Sequence, residues 1–100
     1  MKVARDVSKN EKGYVIHNRE IRKATVDRIV DISYHGTSND VMYIKEIRRD
    51  YFHELYDLDE ATITLKTMLL YDKEILKNQR KELKTQIKEL KYKIKNLNSF

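Results

Sequence analysis

The residues with the strongest claim to chemistry stand together in the middle of the chain. The stretch His53-Glu54-Leu55-Tyr56-Asp57 has the opening of a zinc-protease helix, in which two histidines four residues apart share one helix face and grip a metal. Aspartate stands where the second histidine belongs and no third ligand is offered, so no metal site is expected. Asp57, Asp59 and Glu60 have the side chains for paired acid–base work. Their position just before an apolar periodic run fits helix capping far better, with Asp57 as N-cap and Glu60 at the third helical position. His17 and His35 stand alone in turn-like surroundings. There is no serine–histidine elbow and no P-loop, and with only Gly13 and Gly36 the chain has no glycine-rich loop to cradle a phosphate. These residues predict no catalytic site, no metal and no cofactor, hence a chain that is not an enzyme.

Binding is better represented. Arg19, Arg22, Lys23 and Arg28, then Lys45, Arg48 and Arg49, are interleaved with Tyr14, Tyr34, Tyr43 and Tyr51. Cations beside stacking rings are what a sheet needs to hold single-stranded nucleic acid. Asp27, Asp31, Glu46 and Asp50 offset much of that charge. Arg22, Lys23 and Arg28, with Lys84, Lys88 and Lys91 further on, are the nucleic-acid candidates. Tyr43, Arg48, Arg49, Tyr51 and Phe52 are the candidates for a protein partner, because arginine and aromatic anchors dominate protein interfaces.

The most regular pattern is a heptad. Leu69, Leu76, Leu83, Leu90 and Leu97 recur every seventh residue, and Ile87 and Ile94 fill the intervening apolar position. Leucine at d with a β-branched residue at a favours two parallel strands, so self-association as a parallel dimer is expected through these seven residues. The a positions nearer the N-terminus are Lys73 and Arg80, which places the firmest pairing near the C-terminus. The g–e′ pairs of a parallel dimer, Asp72–Lys77, Gln79–Lys84, Gln86–Lys91 and Lys93–Asn98, include no like charges. A basic leucine zipper is excluded by order: the segment before the seam, DLDEATITLKTMLLYDKE, is acidic and apolar where a groove-binding region must be cationic.

These residues need elements to position them. Residues 1–12 are charged and aperiodic and predict a flexible arm. Residues 13–56 predict a small antiparallel β domain: a short strand Tyr14–His17, a turn at Asn18-Arg19, and a long strand Ile21–Tyr34. In that long strand Val26, Val30, Ile32 and Tyr34 alternate, with Arg28 as the exception. His35–Asp40 is a hairpin loop and Val41–Ile47 the returning strand. Residues 48–56 form an aromatic link to which no structure is assigned. Residues 57–100 are one long helix: from Leu58 to Leu97 there is neither proline nor glycine, a rod of about 60 Å. Its first half, apolar on more than one face, is expected to pack on the sheet, and its second half to carry only the seam. The fold class is therefore α+β, a sheet of three or four strands packed on a long C-terminal helix that continues as a coiled coil.

Composition bounds the setting. The net charge is +5, and between Lys77 and Lys95 eight cations face only Glu82 and Glu89, so the excess sits on the helix. The absence of cysteine, of a signal-like apolar start and of any membrane-length apolar run predicts a soluble cytoplasmic protein with no membrane partner. Abundant Lys, Ile, Tyr and Asn with no Pro point to AT-rich codons and a low-GC bacterium or its phage.

At the level of layout, the β-meander, the link Tyr51-Phe52…Leu55-Tyr56, the D-L-D-E-A helix start and the lysine-rich heptads together resemble small accessory proteins encoded by phages of low-GC hosts. The resemblance covers most of the chain. It implies a non-enzymatic protein that binds a host component, inhibition of a defence or transcription system included; the residues themselves leave nucleic acid as the alternative partner.

Overall fold

The computed structural model describes residues 1–97, the Tyr34 side chain excepted. Two compact units divide the chain, Met1–Thr67 and the helical remainder from Met68. The order of elements is β1 (Lys2–Val3), a 3-10 turn (Ala4–Asp6), β2 (Lys12–His17), β3 (Glu20–Tyr34), β4 (Thr37–Ile44), β5 (Ile47–Phe52), β6 (Glu54–Leu55) and α1 (Leu58–Leu97). The layout is α+β.

The first unit is built on a four-stranded antiparallel meander in the order β2-β3-β4-β5. Two-residue turns join its strands. Asn18-Arg19 (φ 51° and 62°) and His35-Gly36 (φ 50° and 78°) are left-handed at both central positions, the twist that matches two antiparallel strands. The third turn, Lys45-Glu46, is tied down by β3 instead: Glu46 accepts the Thr25 N–H at 2.8 Å and the Thr25 hydroxyl at 2.6 Å. Burial pushes the Glu46 carboxyl up, but these hydrogen bonds outweigh it and hold it below its ordinary value.

Two irregularities reset which side chains face inward. On β3, Val26 pairs with Ile44 but Arg28 pairs with Tyr43, so Asp27 is an extra residue and the alternation slips by one. Val26 is fully buried on the inner face, whereas Arg28 and Val30 lie on the outer face with Tyr43 and Val41. The evenly spaced stripe Val26–Tyr34 is thus not one core face, and Arg28 is no exception to it. On β5, Tyr51 pairs with Tyr43 and Ile47 with Ile44, so Arg48, Arg49 and Asp50 together stand opposite a single step of β4. The expected link over 48–56 is therefore strand, with the returning strand divided at Lys45-Glu46 into β4 and β5.

The core consists of Val15, Ala24, Val26, Met42, Ile44 and Ile47 from the sheet, closed by Ala4, Val7 and Leu55. Residues 1–12 are accordingly not an arm. Val3 pairs with Glu54, the Ala4 N–H bonds the His53 carbonyl at 2.8 Å, and Ala4 and Val7 are buried. These apolar residues are each used once, so no period announces them. Ala61 is the buried residue of the helix, and the sheet's core is filled by chain on either side of the meander rather than by an apolar helix face.

Tyr56 closes the unit. Its N–H and carbonyl exchange hydrogen bonds of 2.9 and 2.8 Å with Tyr14, pairing the end of the β segment with the free edge of β2. The next residue starts the helix with a reciprocal capping box: the Glu60 N–H reaches Asp57 Oδ1 at 2.8 Å and the Asp57 N–H reaches Glu60 Oε1 at 3.2 Å. The Met1 amino group also bonds Glu60, and this bond together with the cap lowers the Glu60 pKa.

In the second unit α1 runs without a break to Leu97. Met68 and Asp72 are half-buried, and from Lys73 to Leu97 every side chain is exposed. The last g–e′ pair, Lys93–Asn98, has its second member outside the described residues.

Two outcomes follow for stability. A Cβ on Gly13 would lie 2.7 Å from Leu55 Cγ and 3.0 Å from both its methyls. Leu55 is 4% exposed and cannot retreat, so Gly13→Ala should cost about 1–3 kcal/mol, read as a lower urea midpoint. Burial and the hydroxyl's bond to Glu54 push the Tyr56 pKa from 10.0 up to about 12. The folded state then holds this proton more tightly than the unfolded chain, so the contribution is complete below pH 10 and is lost as pH rises to about 12. Chemical denaturation across that window should show a decline in wild type that Tyr56→Phe diminishes.

Candidate functional site

The slip at Asp27 and the bulge at Arg48–Asp50 bring the basic and aromatic residues together on the outer face of β3, β4 and β5. Arg28, Tyr43 and Tyr51 form one row across three strands. The Arg28 guanidinium lies 4.6 Å from the centre of the Tyr43 ring, a cation–π contact that fixes the plane of its donors. Tyr51 is 54% exposed and meets the His53 ring edge-on at 5.8 Å. Beside this row a cleft of about 320 Å³ is lined by Arg28, Lys45, Arg48 and Arg49, with Asp27 as the single acid. Lys45 donates from Nζ to Asn10 Oδ1 at 2.6 Å. The arrangement offers stacking faces and planar guanidinium donors to an acidic or aromatic ligand.

Four of the five protein-partner candidates are therefore neighbours: Tyr43, Arg48, Arg49 and Tyr51. Phe52 is not among them. It pairs with Met42, packs against the core, and meets His17 edge-on at 5.8 Å, because one step along a strand changes face. His17 in turn lies 2.7 Å from Asp50, which joins the two outermost strands of the meander. Sequence reasoning missed the union of Arg28 with Tyr43. The signal was present as the one charged residue in an apolar alternation, the mark of a bulge.

The nucleic-acid candidates of the first unit do not share a face. Arg22 pairs with Val15, on the inner side, and approaches Glu20 at 3.5 Å, while Lys23 pairs with Tyr14 on the opposite side. In the second unit Lys84, Lys88 and Lys91 fall on one exposed stripe of α1. The His53–Asp57 stretch is strand and cap, so His53 and Asp57 do not share a helix face. Among the described residues no three His, Asp or Glu side chains gather in a metal-binding group, and no helix is long and apolar enough to cross a membrane.

The seam residues Leu69, Leu76, Leu83, Ile87, Leu90, Ile94 and Leu97 all lie on α1, each between 47% and 67% exposed. They form an apolar line that Lys73 and Arg80 interrupt in its proximal half.

Arg49 holds a left-handed conformation, φ 72°, which strains a side chain that has a Cβ. Arg49→Gly should raise stability by about 0.5–1 kcal/mol in urea unfolding while removing a cation from the cleft. No change, or a loss, would show that the bulge imposes no strain. No family model, curated protein or solved structure matches the chain.

Proposed function

We propose that the protein is a non-enzymatic, oligomeric protein-binding module, an accessory protein of a phage or mobile element that acts in the bacterial cytoplasm by binding and inhibiting a host protein. The observation that carries the reading is the seam. Seven large aliphatic side chains in strict heptad order, all exposed on one helix, are costly in water, and each is worth ~1.5–3 kcal/mol when covered. A second copy in parallel covers them with no like-charged g–e′ pair. The row Arg28–Tyr43–Tyr51 with Arg48 and Arg49 supports a protein-binding surface, since it has the residue types that anchor interfaces and a preset guanidinium.

One observation favours nucleic acid as a second reading. Tyr51 is open and pairs with Tyr43, which lines the cleft with four cations, an arrangement in which a base stacks while phosphates are neutralised. Salt separates the two: a nucleic-acid complex weakens steeply as salt rises because counterions are released, and Lys→Gln changes at Lys84, Lys88 and Lys91 flatten that slope.

Sedimentation equilibrium at tens of micromolar tests the assembly. Wild type should be dimeric. Leu90→Asp should be monomeric with the urea midpoint of the β unit unchanged, because a carboxylate in the d layer would be buried without a partner. Capture from a bacterial lysate with wild type, Arg49→Ala and Tyr51→Ala tests the surface. A protein retained by wild type and lost with both variants supports the reading, and retention of nucleic acid alone replaces it with the second.

A further inference from the structure

The cations of the distal helix are not spread evenly around it. Of the nine between Met68 and Leu97, six occupy the a, e and g positions that border the seam: Lys73, Lys77, Arg80, Lys84, Lys91 and Lys93. Only one of the four acids, Asp72, shares those positions, while Glu74, Glu82 and Glu89 lie on the outer face with Lys81, Lys88 and Lys95. The outer face is therefore neutral and the border of the apolar line strongly positive. A helix that needed lysines only for solubility has no reason to place them beside its seam and its carboxylates away from it.

A second copy matches this border poorly. In a parallel pair Lys73 faces Lys73 and Arg80 faces Arg80 in the a layers, and Lys84 and Lys91 meet the uncharged Gln79 and Gln86. A helix with leucine or isoleucine at a and d and glutamate at e and g would cover the same aliphatic side chains. It would also remove the two cation–cation layers and give each bordering lysine a carboxylate. Each such contact is worth a factor of about two in the equilibrium, so the four bordering lysines together amount to about tenfold. We infer that the seam is built for an acidic heptad helix on a partner protein, and that the homodimer is the form displaced when that helix binds. The inference rests on the coiled-coil reading of the seam and adds to it the chemistry of the occupant.

Two synthetic heptad peptides of equal composition test it, both with Ile at a and Leu at d. One carries glutamate at every e and g, the other the same glutamates at b, c and f. Labelled peptide is titrated with the full-length chain at about 0.15 M salt and again at 1 M, where the Debye length falls to about 3 Å. The acid-bordered peptide should bind about tenfold tighter and displace the homodimer in native mass spectra. Its advantage should shrink in high salt and be reversed by Lys84→Glu/Lys91→Glu. Equal affinity for the two peptides, with the homodimer still seen in sedimentation, would overturn the acidic partner and leave the coiled coil intact. A chain that stays monomeric and binds neither peptide removes the coiled coil and the inference with it.

Discussion

The pairing of Tyr14 with Tyr56 is the contact on which the β unit depends. A four-stranded meander exposes two edges and one apolar face, and neither is tolerable in a sheet this small. By exchanging two backbone hydrogen bonds with β2, Tyr56 draws the end of the β segment back across the meander and sets Leu55 over the inner face against Gly13, where any larger residue would collide. The same step delivers β6 to β1, so Ala4 and Val7 complete the core. One residue later Asp57 opens the helix, so the closure of the sheet also fixes where helix begins.

Local chemistry was legible in the residues, and long-range pairing was not. Asp57 and Glu60 announce a capping box because both partners lie within four residues, and the reciprocal bonds are formed. The turn at Asn18-Arg19 is equally local, but of the expected loop His35–Asp40 only His35-Gly36 turns, and Thr37–Asp40 already belong to β4 because each pairs with β3. The heptad placed the long helix, whose described end is Leu97. Residues 1–6 and 53–55 were unreadable for a shared reason: they meet each other through a two-residue ladder and a 3-10 turn, elements too short to carry a period, while the bulge at Arg48–Asp50 hid the period of β5. The outer-face site was half legible. Its residue types were visible, but a single inserted residue, Asp27, decides that Arg28 stacks on Tyr43 instead of facing the core, and Phe52 was assigned outward for want of the bulge that sets its parity.

The distribution of rings gives the surface its character. Among the described residues the largest fully buried side chains are Met42, Val15, Val26 and Val41, and none of the buried core is aromatic. A small core filled by compact aliphatics leaves tyrosines at its rim and outer face, where an aromatic body and a polar tip are both accommodated. Tyr43 and Tyr51 are available for contact because the core does not need them.

The bulge on β5 has a bearing on how this surface can change over generations. Arg48, Arg49 and Asp50 lie outside the ladder that flanks them, since the Tyr43–Tyr51 and Ile44–Ile47 pairs are satisfied without them. Asp50 is tied to β2 through His17, but Arg48 and Arg49 are uncoupled from strand register, and a substitution at either alters the charge of the cleft without asking the sheet to refold. Two arginines can thus vary on a loop of strand whose flanking pairs hold still.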